Sequence, residues 1–388
     1  MRELEELGLK LCVLSLEPGD ETVHADAREL AQRTVYRPRP LSLRSLLALI
    51  VAPLLHPFGY IESWLHMARL CVARPRATGE LVRSHLAAAA FACALRGAKV
   101  RHVHAHFASM PSTVGLLLAR MMDTSFSMSA HARDLFTDET VMLDRKLREA
   151  EFTTVCTRYG LEFLRRQYPA FPSERLKLLY HGIDVVEHMP RTTPEPSDEA
   201  PSIVSIGRLV EKKGYPILLR AAAVLRRRGV DFDLHIVGSG PDEEDLRSLV
   251  GGLGLTDCVQ MHGPMPHEEL LPLLQEASLF VMACVVASDG DRDGLPNVFL
   301  EALAMGIPAV GTRVSAIPEL IEHEKTGLLA EPGDPDGLAD QMERLLYDEK
   351  LRALVIEQGR LAVVTKFDVK QNVGAMAKLF ERVMARRR

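Results

Sequence analysis

The chain has 388 residues, of which 47 are basic and 52 acidic, giving a net charge of −5. Apolar residues make up 47% and charged residues 26%, with the signs balanced. These values exclude wholesale disorder and a strongly basic nucleic-acid binder, and the length favours two domains. The charge is uneven: residues 1–185 hold 24 basic and 20 acidic side chains, and the remainder hold 23 and 32. A basic first half and an acidic second half point either to an anionic partner for the first half or to chance variation between domains. The six cysteines, at 12, 71, 93, 156, 258 and 284, form no Cys-x-x-Cys pair and no zinc-like spacing. That fits a reduced, cytoplasmic setting. The acidic start Met1–Glu6 has no apolar core of the secretory kind. The most apolar run, Leu46–Leu55, is ten residues long and contains Pro53, against the roughly 20 that a membrane span needs.

In chain order, a helical start is followed by a predicted strand over Leu9–Leu16. Residues 41–96 read as mainly helical, with Arg and Leu prominent. Predicted strands follow at 100–105, 125–129, 152–155 and 176–180, with a helix over 109–121. Four prolines and several acids over 187–201 mark a linker. Beyond it the pattern becomes regular. Strands are predicted at 202–206, 232–237, 259–261, 279–282 and 308–310. Helices are predicted at 216–228, 242–249, 268–276 and 297–305. Such alternation predicts an α/β fold with doubly wound parallel sheets, whose ligands bind at the carboxyl ends of the strands. No short-period repeat or low-complexity tract is present.

Three βα turns carry the chemistry. The strongest is Gly290-Asp-Arg-Asp-Gly-Leu-Pro-Asn297, between a strand ending near Ala283 and a helix starting near Asn297. A helix N-terminus offers unpaired N–H groups and a positive dipole end to an anion. Gly294 permits close backbone approach, Pro296 suits the first turn, and Asp293 precedes Glu301 by eight positions. The second turn, Gly207-Arg-Leu-Val-Glu-Lys-Lys-Gly214, presents Arg208 for bidentate phosphate binding and Lys213 as a point charge. The third, Gly238-Ser-Gly-Pro241, reads alone as a tight turn. Together, on one sheet edge, they point to a nucleoside diphosphate.

These residues resemble the family 4 retaining glycosyltransferases of the GT-B fold. The likeness rests on Gly-Arg-Leu-x-x-x-Lys-Gly at 207–214 and Glu-Ala-x-Ala-x-Gly-x-Pro at 301–308, with His181-Gly-Ile-Asp184 and Ser315–Ile321 in support. The run Gly-Asp-Arg-Asp-Gly-Leu-Pro-Asn is similar to the exopolysaccharide branch, the colanic-acid type among them. The resemblance implies two Rossmann-like domains facing a cleft: an acceptor-side domain over 1–186, a linker at 187–201 and a nucleotide-sugar domain over 202–365. A C-terminal helix over 366–388 is then a candidate to cross back to the first domain. It implies that Arg208 and Lys213 neutralise the donor diphosphate and that Glu301 binds the ribose hydroxyls. Asp293 would meet the donor sugar, and the backbone of Leu295, Pro296 and Asn297 would approach the phosphates. Gly207, Gly238 and Gly294 would line the donor, His262 and Gly263 would lie near the base, and His131 would stand beside the transferred sugar. The family usually has glutamate where this chain has Asp293. It also usually opens with a strand and loop ahead of the helix found here at Met1–Gly8, so the N-terminal strand is expected to be missing.

The expected activity is retaining transfer of a hexose from a nucleotide diphosphate sugar to a lipid-linked or oligosaccharide acceptor. The donor is a substrate, so no cofactor is expected, and no nucleic-acid partner. Two cations plus a helix dipole make a divalent metal unnecessary. The alternatives are a sugar-nucleotide epimerase of the same fold and a truncated, non-catalytic nucleotide-binding paralogue. His102, His104 and His106 alternate along one strand face, but no carboxylate or cysteine nearby adds ligands. His106 borders the strand's carboxyl end and the other two read as structural. Arg37, Arg39, Arg44, Arg69, Arg74, Arg76 and Arg83, with Leu46–Leu55, suggest peripheral contact with an anionic membrane surface. Arg386–Arg388 reads as a solvated tail.

Overall fold

The computed structural model describes residues 1–18, 25–39, 42–137, 142–186 and 200–386. Most of the expected linker, 187–199, and the last two residues of the tail lie outside the described residues. The chain forms two compact units. The first comprises Met1–Cys156, Gly160–Leu179 and Val373–Arg388, and the second comprises Thr157–Tyr159 and Tyr180–Asn372.

The first unit contains strands β1 (Leu14–Ser15), β2 (Val35–Tyr36), β3 (His102–His106), β4 (Ser125–Ala130), β5 (Thr153–Val155) and β6 (Leu176–Leu178). The last four make a parallel sheet in the order β3-β4-β5-β6. The expected strand over Leu9–Leu16 shrinks to β1, which among the described residues pairs only with the two residues of β2. A strand needs a neighbour to fix its backbone, and β2 supplies just two rungs. Helices Leu43–Leu55, Pro57–Ala73, Thr78–Ala94 and Met110–Met121 pack on one another around Leu81, Phe91, Leu117, Leu118 and Met121, all buried. The final helix, Val369–Arg386, brings Phe380 and Val383 onto Phe152 in this unit.

The second unit contains β7 (Ser202–Ile206), β8 (Asp233–Val237), β9 (Val259–Gly263), β10 (Leu279–Val281), β11 (Ala309–Thr312) and β12 (Leu328–Ala330). They form one six-stranded parallel sheet in the order β12-β11-β10-β7-β8-β9. Strand alternation builds a core on each face. Ile203, Leu234, Leu279 and Val281 pack with Leu218, Leu219 and Met342 on one side. Val204, Phe280 and Met282 pack with Phe299, Leu300 and Leu303 on the other. Helix Asn297–Ala304 buries Phe299, Leu300 and Leu303 and leaves Asn297 exposed and Glu301 half-buried. The strand Leu328–Ala330 and the helices Pro335–Tyr347 and Glu349–Lys366 complete the unit without having been singled out in the sequence.

Candidate functional site

The strand order of the second unit reverses between β7 and β10, and at such a switch point the two following loops splay apart and leave a crevice. Those loops are the two strongest sequence motifs. They are laced together: the Val285 amide donates to the Lys212 carbonyl at 2.9 Å. The Ser288 amide and hydroxyl donate to the two oxygens of the Glu211 carboxylate, each at 2.9 Å. Lys212 Nζ lies 3.0 Å from Asp291 and 3.4 Å from Asp293. Lys213 Nζ meets the Asp293 carboxylate at 2.7 Å. Both partners of this last pair are largely buried, with side-chain exposures of 14% and 15%.

Glycine is required in this lacing. Gly214 has φ +68°, and a Cβ there would stand 1.8 Å from the Ala283 carbonyl oxygen. Gly207 lies under the Lys213 side chain, whose Cε would be 3.2 Å from a Cβ. Gly238, with φ +140°, faces the Gly207 carbonyl, 2.0 Å from where a Cβ would sit, so it does more than close a tight turn. The buried Tyr215 donates its hydroxyl to the same Gly207 carbonyl at 3.0 Å, and burial raises its pKa. The β7 loop is tied to the β8 loop by Leu209 N–H to Ser239 O at 3.0 Å, and Gly238 N–H reaches Gly263 O at 2.8 Å.

The remaining expected residues fall around this core. Arg208 is exposed on the β7 loop, between the glycine that Lys213 covers and the tethered Leu209. Gly294 and Leu295 follow Asp293, and the Gly294 carbonyl accepts the Ala316 amide at 3.3 Å. Pro296 is the N-cap of Asn297–Ala304, and no side chain caps that end. Its first turn holds no acid, and its Phe299 amide donates to the Pro296 carbonyl at 3.2 Å, so the positive end of the dipole favours an anion here. Glu301 sits one turn further along the same helix. His262 is exposed near the end of β9, with its Nε2 3.0 Å from His235 Nδ1, and Gly263 follows with φ +75°. The order β7-β8-β9 puts His262 two strand spacings, about 10 Å, from β7.

In the first unit, His131 follows β4 and caps the short helix Ala132–Phe136. Its amide donates to the buried Asp134 at 3.0 Å, and its ring lies tilted by 43° against Phe107 at a centroid distance of 4.6 Å. Asp134 also accepts the Ala108 and Ser109 amides at 2.9 and 3.2 Å. The buried Lys146 donates to the carbonyls of the same two residues, both at 2.8 Å. Burial pushes the Lys146 ammonium down to about 8. The loop beside His131 is thus clamped from its N–H side by an acid and from its C=O side by a base. His102 bonds Ser125 and Ser127 at 2.7 and 2.6 Å, and His104 bonds Ser127 and Ser129 at 2.7 and 2.9 Å. These two rings serve the strand beside them. The ring of His106 lies further on, 5.1 Å from that of His104 and 6.4 Å from that of His131.

Four groups escaped the sequence reading. Lys212 has nothing in the sequence to set it apart from its neighbour except the acids Asp289, Asp291 and Asp293, which call for more than one cation. Cys284 is buried with its thiol 3.8 Å from Asp293, and burial, reinforced by that carboxylate, pushes it up to about 12. Glu319 accepts the Arg158 and Tyr159 amides and the Tyr180 hydroxyl at 2.7 to 2.8 Å. The Asp134–Lys146 clamp had no sequence signal, because its members lie far apart along the chain.

Residues 191–362 match the family model described as glycosyl transferases group 1. The chain is 37% identical over 181 residues to the amylovoran biosynthesis glycosyltransferase AmsK of Erwinia amylovora, covering 47% of this chain and 44% of that protein. It therefore spans about half the length of the first curated relatives it matches. A glycosyltransferase from Rickettsia africae superposes with a TM-score of 0.71 at 14% identity, covering 99% of this chain and 93% of that one. HepE from Anabaena, solved in complex with UDP and glucose, superposes with a TM-score of 0.67 at 16% identity, covering 96% and 100%. These likenesses establish the GT-B fold class.

Proposed function

We propose that this chain, whose second unit carries the glycosyl transferases group 1 match, transfers a hexose from a nucleotide diphosphate sugar to a hydroxyl with retention, in exopolysaccharide synthesis. The observation that carries the reading is the meeting of Lys213 with Asp293 at the switch point, four residues ahead of the uncapped helix at Asn297. Departure of the diphosphate builds negative charge on its oxygens. A partly buried ammonium and a helix N-terminus stabilise that charge far better than water does, because they are already oriented. Arg208, exposed on the same loop, adds a second cation. Asp293 keeps Lys213 in place while the site is empty. In this reading the cations and dipole supply the charge that a divalent ion supplies in other phosphate sites. The family resemblance assigns Glu301 to the ribose hydroxyls, His262 and Gly263 to the base and His131 to the transferred sugar. The relatives' names support the polysaccharide branch, and the UDP complex of HepE supports a nucleotide-sugar donor.

The test is a thermal-shift panel of nucleoside diphosphates and their sugars, followed by transfer assays with the stabilising donor. At 100-fold excess over Kd a specific ligand adds about 2.7 kcal/mol, so one diphosphate should raise the melting temperature by several degrees. Lys213→Ala should erase that rise. A panel with no stabilising diphosphate overturns the reading. Release of epimerised free sugar nucleotide without acceptor would replace transfer by epimerisation.

A further inference from the structure

In the first unit, the helix Leu43–Leu55 is turned inside out. Its buried residues are Ser45, Ala48 and Ala52, whereas Leu43, Leu46, Leu47, Ile50 and Leu54 are exposed. At about 100° per residue, the five large side chains fall within an arc of about 100°, and the three small ones centre on the opposite side. The next helix, Pro57–Ala73, repeats the inversion. Ser63, His66, Met67 and Leu70 face in, and Phe58, Ile61, Trp64, Leu65 and Val72 face out. Phe58 is 87% exposed, Val72 83% and Leu54 77%, values rare for such side chains in a water-facing helix. The inward faces are well fitted: a Cβ on Gly59 would stand 2.1 Å from the Met121 carbonyl oxygen, and Ser63 donates to the Leu117 carbonyl at 3.1 Å. Rotating the second helix to hide its exposed side chains would destroy that fit, so their exposure belongs to the fold.

The surroundings select the occupant. Arg39, Arg44, Arg69, Arg74, Arg76 and Arg83 are all exposed, and among the described residues none is in an ion pair. Only Glu62 and Glu80 oppose them between residues 37 and 83, and Glu62 is already paired with Arg120. A second copy of the chain would bring its own arginines to the same surface and repel the first. An anionic bilayer offers both what the leucines need and what the arginines need. No described helix is long and apolar enough to cross a membrane. We propose that the hairpin Leu43–Ala73 lies in the plane of an anionic lipid surface, with its Leu/Phe/Trp face in the acyl boundary and its arginines at the headgroups. This inference does not rest on the sugar-nucleotide reading, whose thermal-shift test needs no lipid.

Trp64 is the only tryptophan and is 48% exposed on this face, so it reports the event directly. The experiment titrates the full chain with vesicles of phosphatidylglycerol and phosphatidylethanolamine, and separately with pure phosphatidylcholine, following Trp64 emission and cosedimentation. The expected result is a blue shift and cosedimentation with the anionic vesicles only, weakened by salt. Leu54→Ser with Phe58→Ser, both surface changes, should lower vesicle affinity at least tenfold while far-UV circular dichroism stays unchanged. Arg74→Ala and Arg76→Ala should each weaken it about fivefold at low salt, the effect of about 1 kcal/mol per charge near a charged bilayer. Absence of binding to anionic vesicles at low salt overturns the proposal. So does a blue shift without vesicles that follows protein concentration and vanishes in the Phe58→Ser chain, which would make the face a contact between copies.

Discussion

In the second unit the central strands are walled by Ile203, Val204, Phe280 and Val281, and the polar groups gather where the strands end. In the first unit the strand Ser125–Ala130 is equally buried yet carries three serines, met by the rings of His102 and His104. The Ser129 hydroxyl continues the chain of contacts to Thr154 at 2.7 Å. One parallel sheet is held by apolar area, which is tolerant of direction. The other also depends on paired hydroxyls and imidazoles, each of which must be satisfied once water is excluded. The first unit buries two further imidazoles, His66 and His85, and burial pushes both down to about 4. The second unit should therefore respond to changes of shape, and the first to changes of proton and hydrogen bond.

That contrast can be broken, most severely first. Gly214→Val puts a branched side chain into the Ala283 carbonyl at a left-handed φ, and should destabilise the second unit by about 4 kcal/mol. Hydrogen exchange read by mass spectrometry should show lost protection in β7 and β10 peptides, with those of β3 and β4 changed far less. Equal loss in both units would dissolve the distinction. His85 comes next. Its folded ring stays neutral to about pH 4 while the unfolded ring protonates near 6.5, so stability falls as pH drops through that window. The loss reaches about 3 kcal/mol by pH 4. His85→Leu should remove that share of the acid sensitivity, measured as urea midpoints at pH 7 and pH 4.5, and an unaltered pH slope would refute it.

Lys213→Ala should cut turnover about 100-fold, the scale of losing one oriented charge at a leaving group. Its urea midpoint should move little, since Lys212 still neighbours Asp293 at 3.4 Å. Retained turnover with the identified donor would remove Lys213 from the chemistry. The smallest effect sharpens the contrast from the other side. Ser127→Ala takes a partner from both His102 and His104 and should cost about 2 kcal/mol without a change in volume to explain it. A neutral result would mean that these rings draw no stability from the serine.

The same contrast governs what could be read from the residues alone. Strands of the second unit appear as short β-branched and aromatic runs closed by glycine, so Ser202–Ile206 and Asp233–Val237 were legible nearly to the residue. That the loops Gly207–Gly214 and Gly290–Asn297 lie at the same edge of the sheet was legible, because each follows a strand and precedes a helix along the chain. What stayed hidden was pairing at a distance. Lys212 with Asp291 and the clamp of Asp134 and Lys146 on residues 108–109 are facts of tertiary approach. The strand predicted over Leu9–Leu16 is longer than the one found because apolar alternation supplies a face but no partner; among the described residues Leu14 and Ser15 pair with Val35 and Tyr36, and Val13 accepts the Val35 amide.

The lacing of the two switch-point loops has a consequence for anyone redesigning the protein. Glu211 meets Ser288, Lys212 meets Asp291 and Lys213 meets Asp293, like successive teeth of a zip. Inserting or deleting one residue in either segment would shift every tooth past its mate. Their lengths are therefore mutually locked, and a change of length is better absorbed in loops away from this seam.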